Sequence, residues 1–274
     1  MKNTSVRARA VFGICALAIT FILIIARVLC NLFTLDNFTG YYTGLGAFAS
    51  LYLPLIFVAV AAVMCFVPRF GITQEPMQNT RAVKMAALIP AAGFALYAFK
   101  CVEFYMFYHV LSTLQLLSFV ASVFALVFFA FLAFGKKLDT PLYLICGIAV
   151  IFWAICVIAL SYFDLYLPMN APVKLINELA CLALMLLVLS EIRATFDTKR
   201  RQLQMFSVTT ALIVLGVASV PNVISYLFDE LPYAYDLIFM DIVLLCAFVF
   251  AVVRFIGLCF SNAAQKSDEQ AKSE

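Results

Sequence analysis

Arg27, Glu178 and Asp241 stand inside long apolar stretches of a chain in which only 12% of residues are charged. Charge within hydrocarbon is costly and is kept for a purpose, either a ligand or ion site or a buried ion-pair network that fixes helix order. Other polar residues flank these three at helical spacing. Asn31 follows Arg27 by four positions, Lys174, Asn177 and Glu178 fall within about one turn, and Glu103 follows Lys100 by three. Each group therefore shares one helix face. Asn222 lies next to Pro221, with Ser219 and Ser225 at matching spacing. Because proline lacks an N–H, the carbonyl of Val217 is left bare on that helix, so an amide, two hydroxyls and a carbonyl converge. The candidate ligand-binding or ion-pair cluster is thus Arg27, Asn31, Lys100, Glu103, Lys174, Asn177, Glu178, Asn222 and Asp241. Arg27 is expected to bond Glu178 or Asp241.

Other chemistries find little support. His109 is the only histidine, so no histidine dyad, H-E-x-x-H site or histidine relay can be built. The nine cysteines are scattered singly, without a C-x-x-C pair, and read as small packing residues. No metal site, catalytic residue or cofactor is proposed, and no nucleic-acid partner is expected. There is no G-x-S-x-G elbow and no phosphate-binding glycine loop.

The elements that must position the cluster follow from composition. With 66% hydrophobic residues and a mean hydropathy of +1.07, the chain exceeds what a soluble core of this size buries. An all-α, polytopic integral membrane bundle of eight transmembrane helices is expected. A helix needs about 20 apolar residues to cross the hydrocarbon core. Suitable stretches run from Val11 to Phe33, Gly44 to Val67, Val83 to Glu103, Val110 to Phe134, Leu142 to Phe163, Pro172 to Leu189, Met205 to Phe228 and Leu237 to Cys259. Runs such as Ala125 to Ala133 are apolar on every face, which excludes the alternation of a barrel strand. On this layout Arg27, Glu178 and Asp241 each lie about 8 to 9 Å below the same end of their spans.

Orientation follows from the basic residues. Fifteen of the 18 Lys and Arg fall on the side of both termini. The opposite side holds Arg27, Lys100 and Lys174 against eight acids: Asp36, Glu103, Asp164, Glu178, Asp229, Glu230, Asp236 and Asp241. Both termini are therefore expected in the cytoplasm, with the protein in the plasma membrane and the polar cluster facing outward. Lys2, Arg7 and Arg9 before the first span read as a retained signal anchor. Arg254, one turn from the inner end, is expected to snorkel to the interface.

Residues 1–260 are read as one bundle, with a weak 4+4 parallel repeat (1–137 and 138–260), and residues 261–274 as a polar, disordered cytoplasmic tail. Pro54, Pro90 and Pro221 interrupt the second, third and seventh spans and free the carbonyls of Ser50, Ala86 and Val217. Tyr41, Tyr42, Tyr105, Tyr108, Tyr162, Tyr166, Tyr233 and Tyr235 form an aromatic belt at the outer boundary.

Three functions of different class are compatible with these features. The first is a carrier or membrane binding component for a small polar or amphiphilic solute. The second is an embedded sensor or accessory subunit that acts on a protein partner through inner basic loops, notably Thr198 to Gln202. The third is an intramembrane lipid-modifying enzyme with Glu178 or Asp241 as base; the missing motifs weigh against it. Anionic membrane lipids are expected as generic partners of the fifteen inner cations.

Overall fold

The computed structural model describes residues 2–36, 39–66, 80–135, 140–163, 168, 170–196, 201–228 and 238–271. Among these, nine α-helices and one π-helical turn account for the architecture. They are α1 (Lys2–Phe33), the π turn (Phe48–Tyr52), α2 (Leu53–Phe66), α3 (Arg81–Ala86), α4 (Leu88–Tyr108), α5 (Thr113–Phe134), α6 (Pro141–Phe163), α7 (Pro172–Phe196), α8 (Arg201–Leu227) and α9 (Ile238–Ala271). The π turn joins α2, and α3 joins α4, so that eight helices are long and apolar enough to cross a membrane. This is the architecture of a multi-pass membrane protein, as the composition requires.

Two helix ends differ from the hydropathy reading. The sixth span continues from Leu189 to Phe196, because no proline or glycine intervenes, and this carries Glu191 into helix. The eighth continues to Ala271, through residues read from composition as an unstructured tail. Of the basic segment Thr198 to Gln202, residues 198–200 lie outside the described residues.

The three prolines have three different outcomes. At Pro54 the chain widens into the π turn, where the N–H of Leu53 reaches back to Phe48 and the Ser50 hydroxyl donates to the Gly46 carbonyl at 2.7 Å. Pro90 coincides with the break between α3 and α4 at Ala87. Pro221 lies inside α8 without ending it.

From α4 to α9 each helix packs on the next, and α9 closes back onto α4. Spans one and two lie outside this ring against α8, whereas spans five and six are members of it. The ring is filled by aromatic side chains: Trp153 meets Phe94 and Tyr97 edge-on at 4.9 and 5.3 Å, and Phe129 meets Phe250 at 5.8 Å. Helix α8, touched by α1, α2, α7 and α9, is the most enclosed span. The Phe12 and Phe255 rings lie 6.4 Å apart, so the start of α1 and the later part of α9 share one end of the bundle, here the terminal end. The polar cluster lies toward the other, the far end.

Candidate functional site

The centre of the cluster is built on α8, where Pro221 leaves Val217 without its helical partner. Arg27, reaching in from α1, supplies the missing donor. Its Nη1 donates to the Val217 carbonyl at 2.5 Å and to the Ala218 carbonyl at 3.2 Å, and its Nη2 donates to Asn222 Oδ1 at 3.1 Å. The carbonyl freed by proline is thus capped by a guanidinium from a neighbouring helix, which satisfies a group that hydrocarbon would leave bare.

The expected direct bond between Arg27 and a carboxylate does not form. Asn222 stands between them. Its Nδ2 donates to Asp241 Oδ1 at 3.1 Å and to Asn177 Oδ1 at 2.9 Å while its Oδ1 accepts from Arg27. One amide therefore uses both its ends to link α1, α7, α8 and α9. The physical reason is that Val217, Ala218 and Asn222 offer acceptors on α8, against which α1 packs, and the Asn222 amide occupies the place beside Asp241. Arg27, Asn31, Lys174, Asn177, Asn222 and Asp241 are each no more than 4% exposed. Such a network is held in place by the cost of leaving any member unpaired. Arg27 Nε is buried with no hydrogen-bond partner.

The network continues toward the far end through Asn31, whose Nδ2 donates to Ser225 Oγ at 3.1 Å. Asn31 Oδ1 in turn accepts from the Tyr42 hydroxyl at 2.7 Å. Tyr42 belongs to a turn between α1 and the π turn, closed by the Leu35–Tyr42 bridge and by Thr43 N to Thr34 O at 2.8 Å. Gly40 and Gly44 adopt φ of 69° and 56° in this turn, a left-handed backbone suited to glycine. The adjacent Tyr41 hydroxyl donates to Asn170 Oδ1, just before α7, at 2.5 Å. Two consecutive tyrosines thus pin the turn, one to the buried network and one to the neighbouring loop.

Of the remaining candidates, Lys174 is buried one turn from Asn177 on α7, and Glu178 is half-buried beside it. No hydrogen bond of Glu178 is found among the described residues, and it is not joined to Arg27. Lys100 and Glu103 form their own pair at 2.8 Å, with side chains 23% and 37% exposed, and the Lys100 ammonium lies 5.1 Å from the Phe239 ring centre. Ser219, although on α8 near Asn222, turns back to its own helix at Leu215 O.

Sequence reasoning missed a buried charge pair nearer the terminal end. Arg254 does not snorkel: Nε and Nη2 donate to the two carboxylate oxygens of Glu191 at 2.7 and 2.6 Å, and both side chains are 3% exposed. The fork geometry matches guanidinium to carboxylate at both ends. The available signal was the helical reach of α7 past Leu189, which brings Glu191 within the bundle. No protein-family model, curated protein or solved structure matches the chain. What the arrangement offers chemically therefore rests on its own atoms: guanidinium and amide donors linked to the Asp241 carboxylate in a buried network.

Proposed function

We propose that the protein is a carrier or membrane binding component for a small polar or amphiphilic solute, with Arg27, Asn31, Asn177, Asn222 and Asp241 as its binding determinants. The plasma membrane is its proposed location, with termini in the cytoplasm and the site toward the outside. The observation that supports this most strongly is the position of a buried, charged amide network directly beneath a tyrosine-pinned turn. A network needed only for packing has no use for a cover attached through two hydroxyls. In this reading the arrangement is the closed state, and a solute replaces bonds of Asn222 when the turn lifts.

The test is solute binding and uptake by purified protein in proteoliposomes, screened over amino acids, organic acids, polyamines and sugars. The expected result is saturable uptake of one class that Asn222→Leu reduces by about tenfold or more, corresponding to two lost polar contacts. Absence of any saturable solute across the screen, with folded protein, overturns the reading.

The sensor or accessory alternative draws support from a specific feature, the internal pairing of two buried groups: Asn222 and the Glu191 to Arg254 pair are satisfied without a solute. Capture of a stoichiometric protein partner from native membranes, lost on neutralising Lys199, Arg200 and Arg201, favours it over the carrier.

A further inference from the structure

Near the terminal end the bundle holds polar groups with the opposite character to the far-end network: donors that meet no acceptor. Arg9 is 5% exposed and Gln204 is 6% exposed, and Arg9 Nε, Arg9 Nη2 and Gln204 Nε2 are buried without a hydrogen-bond partner. Helices α1 and α8 lie side by side, since Arg27 meets Asn222 and Asn31 meets Ser225. Counted back along the two parallel helices, these pairs bring Arg9 to about the level of Leu203 and Gln204. On the other side is α9, for a methyl group placed on Gly13, one turn above Arg9, meets Cys259 Cβ at 3.0 Å. A guanidinium with two buried, unbonded nitrogens is costly, so an acceptor from outside the chain is called for.

The neighbouring surface says what kind of molecule carries that acceptor. Ascending from Arg9, the same face of α1 presents Phe12, Ala16 and Ile19. With Ala61 and Met64 of α2 and Ile213 of α8 they line a cleft of about 130 Å³ whose walls are almost wholly apolar. Arg9 lies at the very start of the apolar span Ala8–Phe33, the level of lipid headgroups. A cation one helical turn from Phe12, and so from the apolar cleft that Phe12 lines, is complementary to an amphiphile with an anionic head. A free phosphate leaves the cleft empty, and a second apolar helix leaves the guanidinium unanswered.

We infer that Arg9, Gln204 and the cleft between α1, α2 and α8 form a specific site for an anionic phospholipid. The phosphate accepts from Arg9 and Gln204, and one acyl chain lies along Phe12, Ala16 and Ile19. The site is independent of the proposed solute site.

Delipidated protein in detergent, titrated with phosphatidylglycerol or phosphatidylcholine of identical chains and read by native mass spectrometry, tests this. Wild type is expected to retain one phosphatidylglycerol about fivefold or more tightly than phosphatidylcholine. Arg9→Gln brings the ratio close to one, while Arg81→Gln, at an exposed cation of the same end, leaves it unchanged. Ala61→Phe fills the cleft and weakens retention of both lipids with Arg9 intact. Equal retention of the two lipids by wild type, an equal loss in Arg81→Gln, or displacement of the lipid by inorganic phosphate overturns the assignment. If Arg9→Gln fails to fold, Ala61→Phe decides alone, and undiminished retention of phosphatidylglycerol then overturns it.

Discussion

Pairing, more than the presence of charge, distinguishes the individual residues. The costly groups were legible in the sequence: Arg27, Asp241 and Asn222 stand out against apolar surroundings, and Pro221 marks Val217 as an open acceptor. Their partners were not, because residues at similar depth compete and the choice depends on the rotation of each helix about its axis. Arg27 accordingly takes two carbonyls and an amide, and Asn222 links it to Asp241. Glu191 was hidden for another reason, since a hydropathy window ends where polar residues begin even when the helix continues. Its bond to Arg254 yields a sharp expectation. Glu191→Ala takes the carboxylate away from a buried guanidinium and should lower stability by about 3–5 kcal/mol, whereas the double change Glu191→Leu with Arg254→Met should recover most of it. Equilibrium unfolding in mixed micelles measures both. A double variant as unstable as the single one would mean that the pair contributes more than mutual neutralisation.

At the level of helices, each proline rewrites the element that contains it, and the sequence located all three without specifying how the backbone would respond. A missing N–H is absorbed at Pro54 by a wider turn, and a helix break lies three residues before Pro90. At Pro221 α8 continues, and the open carbonyl is met from α1. That last arrangement couples two elements through one hydrogen bond. Pro221→Ala restores an N–H able to take Val217 O within α8, and so makes the Arg27 donor partly redundant. The penalty of Arg27→Met is therefore expected to be smaller in the Pro221→Ala background than in wild type, with a coupling of about 1–3 kcal/mol. A double-mutant cycle by thermal and denaturant unfolding reads this directly. Strictly additive penalties would show that Arg27 is held by Asn222 and the Ala218 carbonyl and that the Val217 bond is incidental.

For the molecule as a whole, the count of eight spans was legible because length and apolarity alone set it, while the ring from α4 to α9, with α1 and α2 outside, was not. Apolar faces resemble one another, and only side-chain fit selects neighbours. Orientation is a separate matter, governed by which loops carry free cations. At the far end Arg27 and Lys174 are buried, and Lys100 is paired with Glu103, so that end offers little positive charge to oppose translocation. The terminal end carries the exposed Arg81 and, by sequence, the basic runs around Lys136 and Lys199. The positive-inside bias then predicts the Thr34–Thr43 turn and Asn170 outside and both termini in the cytoplasm. Alkaline phosphatase, active only after export, should be active when fused after Thr43 or Asn170 and inactive when fused after Glu274; a cytoplasm-dependent fluorescent reporter should give the converse. The opposite pattern would place the tyrosine-pinned turn in the cytoplasm, so that the proposed solute would be taken from inside the cell and the anionic lipid drawn from the outer leaflet. The same fusions therefore fix which compartment each of the two proposed sites serves.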